Sequence, residues 1–367
     1  MNISFVHTGD VHIGMKFVKG EMSGELGNEK RRDIMDTFLK VIDRCDKKNI
    51  DFLFIAGDLF EDEVCSIADL KIINDRFKQL KKTKVIMITG NHDFLNEKSL
   101  YKLIDWNENV YLLDNKMIEK ISFKEENIDI WGMSWYEKEK GKENFKNISL
   151  DHDKYNVLLL HGDVFDKNSR YFPINKKDIQ DLGFDYIGLG HIHKPQHISE
   201  NIVYPGSPEP LDFGELGDHG IIEGKIWGNN LDTKFIPISK RKYHIVNIEI
   251  NQKMSYNDVM SRLLDIASET IKQKDFFRII IKGFIDRDLK DKIKEMEFIL
   301  NEKFYFIEII DKTKPDYDLD KLLIENENNI IGEFIKEMIN QGSDNEIINR
   351  SLYLGLEELL REKVSLN

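Results

Sequence analysis

Five short segments place metal-binding and proton-donating side chains at the ends of apolar runs. They are Asp10-Val11-His12, Gly57-Asp58, Gly90-Asn91-His92-Asp93, His161-Gly162 and Gly190-His191-Ile192-His193. Carboxylate, imidazole and amide oxygen donors in this mixture suit hard to borderline divalent cations. A pair of such cations is the apparatus of phosphoester hydrolysis. Five of the ten histidines fall in these segments, which points to one shared role, that of holding cations and protonating a leaving group.

The segments differ in how much each says alone. Asp10 and His12 stand two apart, so in an extended chain both project to one side and can reach one metal; a lone Asp-x-His is equally common without one. Gly57 lets the chain turn tightly, and Asp58 has two oxygens with which to bridge two cations, although a Gly-Asp pair alone is more often a plain turn. Gly90-Asn91-His92-Asp93 is more specific. The Asn91 side-chain oxygen is a neutral ligand, and the adjoining His92 imidazole would face substrate. Asp93 reads either as an orienting partner or as a turn residue. His191 and His193 repeat the two-residue spacing, whereas His161 alone would read as a hydrogen-bonded core histidine. Together, in this order and at strand ends, they are hard to explain by chance. His7 reads as a strand residue, and His152, His197, His219 and His244 have no ligand-like company. Lys16, Arg170 and Lys194 lie near the motifs and could touch phosphates; a solvated surface charge is the commoner fate of such residues.

The elements that must position these groups alternate. Apolar runs at 3–8, 52–56 and 85–89 predict buried strands, and helical spacing over 29–48 and 68–80 predicts helices between them. Such a pattern gives a parallel core with helices on its faces. Asp10, Asp58 and Asn91 then occupy loops at the carboxyl ends of strands, where ligands usually bind. A β-rich stretch follows, with strands expected at 110–113, 117–123, 128–132, 157–160 and 186–189 and more between 202 and 250. Two mixed sheets packed face to face, with outer helices, accommodate this count. From residue 244 to 312 the spacing predicts a small α+β domain, with strands at 245–250, 277–283 and 304–310 and helices at 256–273 and 288–301. Residues 312–329 read as a polar linker containing Pro315. Beyond it, 330–339 and 345–360 read as two amphipathic helices, whose apolar stripes could dock a partner or close the protein's own core.

Length and composition fit a globular protein of one large domain and one or two smaller ones: 367 residues, 41% hydrophobic and 32% charged. No apolar run approaches the roughly 18 residues of a membrane span, and the amino terminus lacks the basic region and cleavage site of a signal peptide. Cys45 and Cys65 form no paired motif, so neither a zinc cage nor a disulfide framework is implied, which fits a reducing cytoplasm. The net charge of −13 argues against binding nucleic acid by charge alone; bound cations or a partner would have to supply the phosphate-binding surface.

The motif set resembles the calcineurin-like metallophosphoesterase superfamily, and in detail the SbcD-type DNA-repair exonucleases that work with a coiled-coil ATPase of the SbcC type. The segments that carry the resemblance are His7-Thr8-Gly9-Asp10-Val11-His12-Ile13-Gly14, Gly57-Asp58-Leu59-Phe60, Tyr204-Pro205-Gly206-Ser207-Pro208 and Leu211-Asp212-Phe213-Gly214-Glu215. It covers about the first 240 residues. The resemblance implies that Asp10, His12 and His193 hold one cation, that Asn91, His161 and His191 hold the other, and that Asp58 bridges them. It further implies two manganese ions, or magnesium, in-line hydrolysis of DNA ends, and His92 as the group that steadies the transition state or protonates the departing oxygen. The segment 204–215 would flank the cleft, the small domain would cap it, and the carboxyl-terminal helices would dock the ATPase. A homodimer acting on DNA in the cytoplasm, at the nucleoid, is the expected setting. Another phosphoesterase, acting on cyclic nucleotides or phosphoproteins, shares some motifs, but no Asp-Arg-Gly follows Gly57-Asp58-Leu59-Phe60. A non-catalytic scaffold that binds DNA or the ATPase is the other alternative, and the complete set of ligand types argues against it.

Overall fold

A computed structural model describes residues 2–17, 24–141, 145, 148–251, 253–285, 287–290, 292–315, 317–342 and 346–365. It divides into two compact units, Met1–Lys242 and Tyr243–Asn367.

The first unit is built on two six-stranded sheets. Strands β1 (Asn2–Thr8), β2 (Phe52–Ala56), β3 (Lys84–Ile88) and β4 (Val110–Leu112) lie parallel and in order, joined by helices α1 (Gly24–Lys48) and α2 (Ile67–Lys78). The second sheet contains β5 (Glu119–Phe123), β6 (Ile128–Gly132), β7 (Tyr155–His161), β8 (Tyr186–Gly190), β9 (Gln196–His197) and β10 (Ile202–Tyr204), with the short helix α3 (Lys176–Gln180) on its outer side. The hairpin β11 (Gly220–Trp227) and β12 (Asn230–Pro237) returns to the first sheet and pairs antiparallel beside β1. Both sheets are therefore mixed.

Burial explains the layering. Strand β2 is buried at every position, as a strand covered on both faces must be. Its Phe52 and Phe54, with Phe5 and Ile86, pack against Ile130, Leu159 and Tyr186 of the other sheet. Its Leu53 and Ile55 face the opposite way, onto Ile34, Phe38 and Val41 of α1 and Leu70 and Ile73 of α2. On the far side of the second sheet, Leu158, Leu160, Ile187 and Leu189 pack with Trp135, Phe172 and Ile179. The result is helix, sheet, sheet and helix, the arrangement expected from the strand count. Helix α2 begins with a capping box in which Ser66 and Asp69 satisfy each other's backbone N–H.

The second unit has a parallel three-stranded sheet of β13 (Tyr243–Ile250), β14 (Phe276–Ile285) and β15 (Phe306–Pro315). Helices α4 (Tyr256–Leu264) and α5 (Glu269–Lys272) cross from β13 to β14, and α6 (Arg287–Lys290) and α7 (Ile293–Leu300) cross from β14 to β15. Then come α8 (Leu319–Glu325), α9 (Ile330–Asn340) and α10 (Glu346–Ser365); residue 345, expected in the last helix, lies outside the described residues. The expected linker over 312–329 is corrected here. Residues 312–315 extend β15, in register from Lys282↔Lys312 to Ile285↔Pro315, and 319–325 form α8, capped by Asp318. The charged Lys-Thr-Lys-Pro sequence reads as linker, but Pro315 ends an edge strand, where its missing N–H costs no ladder bond.

Candidate active site

All five motifs converge at the carboxyl ends of β1, β2, β3, β7 and β8, in the first unit. The backbone there is unusual. Asp10 (φ 51°), His12 (φ 56°), Asp58 (φ 50°) and His191 (φ 96°) all lie in the left-handed region, which non-glycine residues rarely adopt unless their surroundings hold them there. The neighbouring glycines are dictated by closeness. A Cβ on Gly57 (φ +85°) would stand 2.5 Å from His161 Nδ1, and one on Gly90 would stand 2.3 Å from Asp58 Oδ1.

Hydrogen bonds fix which ring nitrogens are available. The carboxylates of Glu61 and Glu215 each lie 2.6 Å from an Nδ1, of His12 and His193 respectively. Both rings therefore donate through Nδ1, and their Nε2 lone pairs meet across 3.1 Å. His161 donates through Nδ1 to the Ala56 carbonyl at 2.9 Å. Its Nε2 then faces Asn91 Oδ1 at 3.0 Å and Asp58 Oδ2 at 3.2 Å. Asn91 Oδ1 is also 3.1 Å from His191 Nδ1. Electron pairs directed at one another in a buried space repel unless a cation or proton lies between them. This donor set, in place before any ion is considered, fits divalent cations.

Asp10, His12 and His193 form one group of converging ligand atoms. Asn91, His161 and His191 form a second through their shared contacts. Asp58, buried, lies between them: Oδ2 is 4.0 Å from His12 Nε2 and 3.2 Å from His161 Nε2. Asp10 is also buried, and both its oxygens accept from the His191 N–H at 2.9 and 3.0 Å.

Electrostatics repeat the geometry. Burial alone would raise the Asp58 carboxyl, but the charges of His161, His12 and His92 hold it well below the carboxylate range. Burial likewise opposes protonation of His161 and His193, yet Asp58 lifts the first to about 9 and the Glu215 hydrogen bond and nearby Asp10 lift the second to about 9. His191 goes the other way, to about 4, through burial and the neighbouring His161. In the absence of cations, protons are drawn into the places the ligand atoms leave between them.

His92 borders the first group: its ring centroid is 4.8 Å from that of His12, and His12, Glu61 and His92 form a converging set of their own. The His92 N–H donates to Asp58 Oδ1 at 2.8 Å, its Nδ1 lies 3.0 Å from Glu61 Oε2, and 39% of its side chain is exposed. Nε2 is the ring nitrogen turned away from Glu61. Asp93 resolves into a structural knot: it accepts from the N–H groups of Asp58, Leu59 and Gly90 and from the Tyr101 hydroxyl. It orients by tying the β2 and β3 loops together. Ser207 Oγ and the Leu211 N–H donate to Glu215 Oε2 at 2.8 and 3.1 Å, so segment 204–215 exists in this shape to hold Glu215 against His193. Buried Lys30 of α1 donates to the Pro210 carbonyl at 2.7 Å and anchors that segment.

Glu61 and Glu215 are the functional residues that sequence reasoning missed. Glu61 stands three residues beyond Asp58 and Glu215 ends the 211–215 segment that carries the family resemblance, but neither position reveals which imidazole the carboxylate meets. Of the basic candidates, Lys16 and Lys194 are exposed on the loops of His12 and His193. Arg170 pairs with Glu139 at 2.9 Å.

A family model described as calcineurin-like phosphoesterase matches residues 3–195, more than half of the chain. The chain is 29% identical to the DNA double-strand break repair protein Mre11 of Methanocaldococcus jannaschii, over 96% of this chain and 94% of that protein. It is 26% identical to an uncharacterized metallophosphoesterase, YhaO of Bacillus subtilis, over 77% of this chain and 72% of that one. It is 24% identical to a subunit of the SbcCD nuclease of Staphylococcus epidermidis, over 74% of this chain and 76% of that one.

Proposed function

Because the chain belongs to the calcineurin-like phosphoesterase family, we propose that it is a manganese-dependent DNA exonuclease, the nuclease subunit of a complex with a coiled-coil ATPase. The observation that carries the hydrolytic part is the pair of largely buried donor groups joined by Asp58. The nucleic-acid part rests on likeness, over nearly the whole length, to a protein named for double-strand break repair, and on likeness to an SbcCD subunit.

Asp10, His12 and His193 would hold one cation and Asn91, His161 and His191 the other, with Asp58 between. Two bound cations supply charge stabilisation to the attacking and leaving oxygens of an in-line displacement. The chain's own residues do the rest. Glu61 and Glu215 fix the tautomers of His12 and His193, so that Nε2 presents a lone pair in each. Glu61 also holds His92 Nδ1, which leaves Nε2 to give its proton to the departing sugar oxygen. Burial opposes the charged form of His92, but the Glu61 hydrogen bond and the charge of Asp58 outweigh it and raise its pKa, which favours the protonated ring a proton donor needs.

We assign the β13–β15 sheet and its crossing helices to a cap over DNA access and the helices after Pro315 to ATPase docking, in a homodimer acting at the nucleoid. Within the second unit the apolar residues of α9 and α10 divide into two sets. Ile331, Ile335, Leu352 and Leu356 pack on one another, whereas Ile330, Ile347 and Leu354 are 68%, 76% and 57% exposed. The first set closes the helical pair, and the exposed Ile330 and Leu354 are the surface we assign to the partner. No described helix is long and apolar enough to cross a membrane.

A substrate panel tests this reading. With manganese, the protein should degrade linear duplex DNA and hydrolyse bis-p-nitrophenyl phosphate, and should leave cyclic nucleotides intact. Hydrolysis of cyclic nucleotides without cleavage of DNA would assign it to another branch of the family.

A further inference from the structure

Loop 162–171 leaves the candidate site directly from His161 and returns at Tyr171, whose ring centroid is 5.1 Å from that of His191. Within it, Phe165 is 54% exposed. A single exposed phenylalanine usually means little. This one is held flat against a fixed backing. Its ring stacks on Tyr204 with centroids 6.0 Å apart and planes 27° from parallel. Tyr204 is fully buried, and its hydroxyl donates to the Gly162 carbonyl at 2.6 Å and accepts from the Val164 N–H at 3.2 Å. The backing ring is thus tied to the loop that carries Phe165.

The loop backbone is equally constrained. Asp163 Oδ1 accepts from the N–H groups of Phe165 and Asp166 at 2.7 and 3.1 Å. Buried Phe172 closes the loop in the left-handed region, with φ 51°. Its carbonyl accepts from the Asp163 N–H at 3.0 Å, and its N–H donates to the Lys140 carbonyl at 2.7 Å. One face of the Phe165 ring meets Tyr204, and the ring remains open to solvent in the loop that begins at His161 and returns to His191 through Tyr171. Lys167 is exposed two residues on.

We infer that Phe165 is a stacking platform for an unpaired nucleobase flanking the scissile phosphate. The inference rests on the nuclease reading and deepens it, because it predicts a preference for single-stranded or frayed ends. Every base has a π face, so stacking tolerates any sequence. A ring already fixed in place loses little freedom when a base lands on it. In a chain of net charge −13, an uncharged contact is also one that self-repulsion does not weaken.

The test uses the full chain with manganese and single-stranded oligonucleotides. Some carry one abasic residue, and others 2-aminopurine, at successive positions from the cut. Phe165→Ala should raise KM by about ten- to a hundredfold, the usual range for one base stacked on an aromatic ring, with kcat changed far less. Phe165→Trp should restore it. Removing the base at the stacked position from the wild-type substrate should reproduce the loss and should not add to it in the mutant. There, 2-aminopurine should lose fluorescence on mixing with the wild type and keep it with Phe165→Ala. Equal losses on base-bearing and fully abasic oligonucleotides would overturn the inference, since the ring would then only shape the loop. So would an unchanged KM. If the wild type hydrolyses bis-p-nitrophenyl phosphate but neither binds nor cleaves any oligonucleotide, the nuclease reading fails first, and the platform with it.

Discussion

Asp58 shows how much one side chain can carry. Its two oxygens face different groups, Oδ1 the His92 N–H and Oδ2 the rings of His12 and His161. Asparagine tolerates the same left-handed backbone, so Asp58→Asn should leave the fold intact while removing the charge between the two donor groups. The expected outcome is loss of activity and of most bound manganese, read by elemental analysis and cleavage on one sample. Full activity would remove Asp58 from the site. His92 should behave differently, because Asp58 touches its backbone and Glu61 its ring, and its Nε2 is turned away from Glu61. His92→Gln should retain manganese and DNA binding but lose on the order of a hundredfold or more in rate, the scale of a general acid. Loss of metal in that variant would make His92 a ligand. At this scale the sequence was legible where a motif held its own partner, as in the two-residue spacing of Asp10 with His12; the same spacing in His191 and His193 misleads, because His193 joins Asp10 and His12 while His191 faces Asn91. The sequence was mute about Glu61 and Glu215, whose partners His12 and His193 are brought near only by the crossing of distant strands and loops.

The strand ends decide where these side chains can point. The β2 strand is apolar throughout and stops at Gly57, and the turn that follows is crowded. Gly57→Ala meets two obstacles: a left-handed φ of +85° and a Cβ 2.5 Å from His161 Nδ1. The strained backbone alone costs about 1–3 kcal/mol, and the ring must also move off its line to Asn91. The variant should melt lower and lose manganese affinity together, which scanning calorimetry and metal titration would reveal; wild-type affinity would mean the turn does not set the ring. Strands β1 to β3 and the helices between them could be read from periodicity because each buries a contiguous apolar run. The end of β15 could not. Asp311 and Lys312 are exposed there, and what makes residues 312–315 a strand is pairing with β14, a contact absent from the local sequence.

At the scale of the whole molecule, the acidic charge and the docking helices are linked. On the nuclease reading, a chain of net charge −13 would take its phosphate contacts from cations and from a partner, and Ile330 of α9 and Leu354 of α10 are exposed beside the cluster those helices close. Ile330→Glu combined with Leu354→Glu should preserve solubility and hydrolysis of bis-p-nitrophenyl phosphate while abolishing pull-down of the ATPase. Retained pull-down would place docking elsewhere on the chain. Activity, on this reading, depends on two cations held by converging lone pairs and used to cut DNA. The most direct test is cleavage of linear duplex by metal-stripped protein as manganese is titrated in, with bound metal counted at each step. A two-cation site should give no cleavage without metal and activity that saturates as the chain takes up its second ion. Cleavage that persists in excess chelator, or that is complete with no manganese retained by the protein, would contradict it.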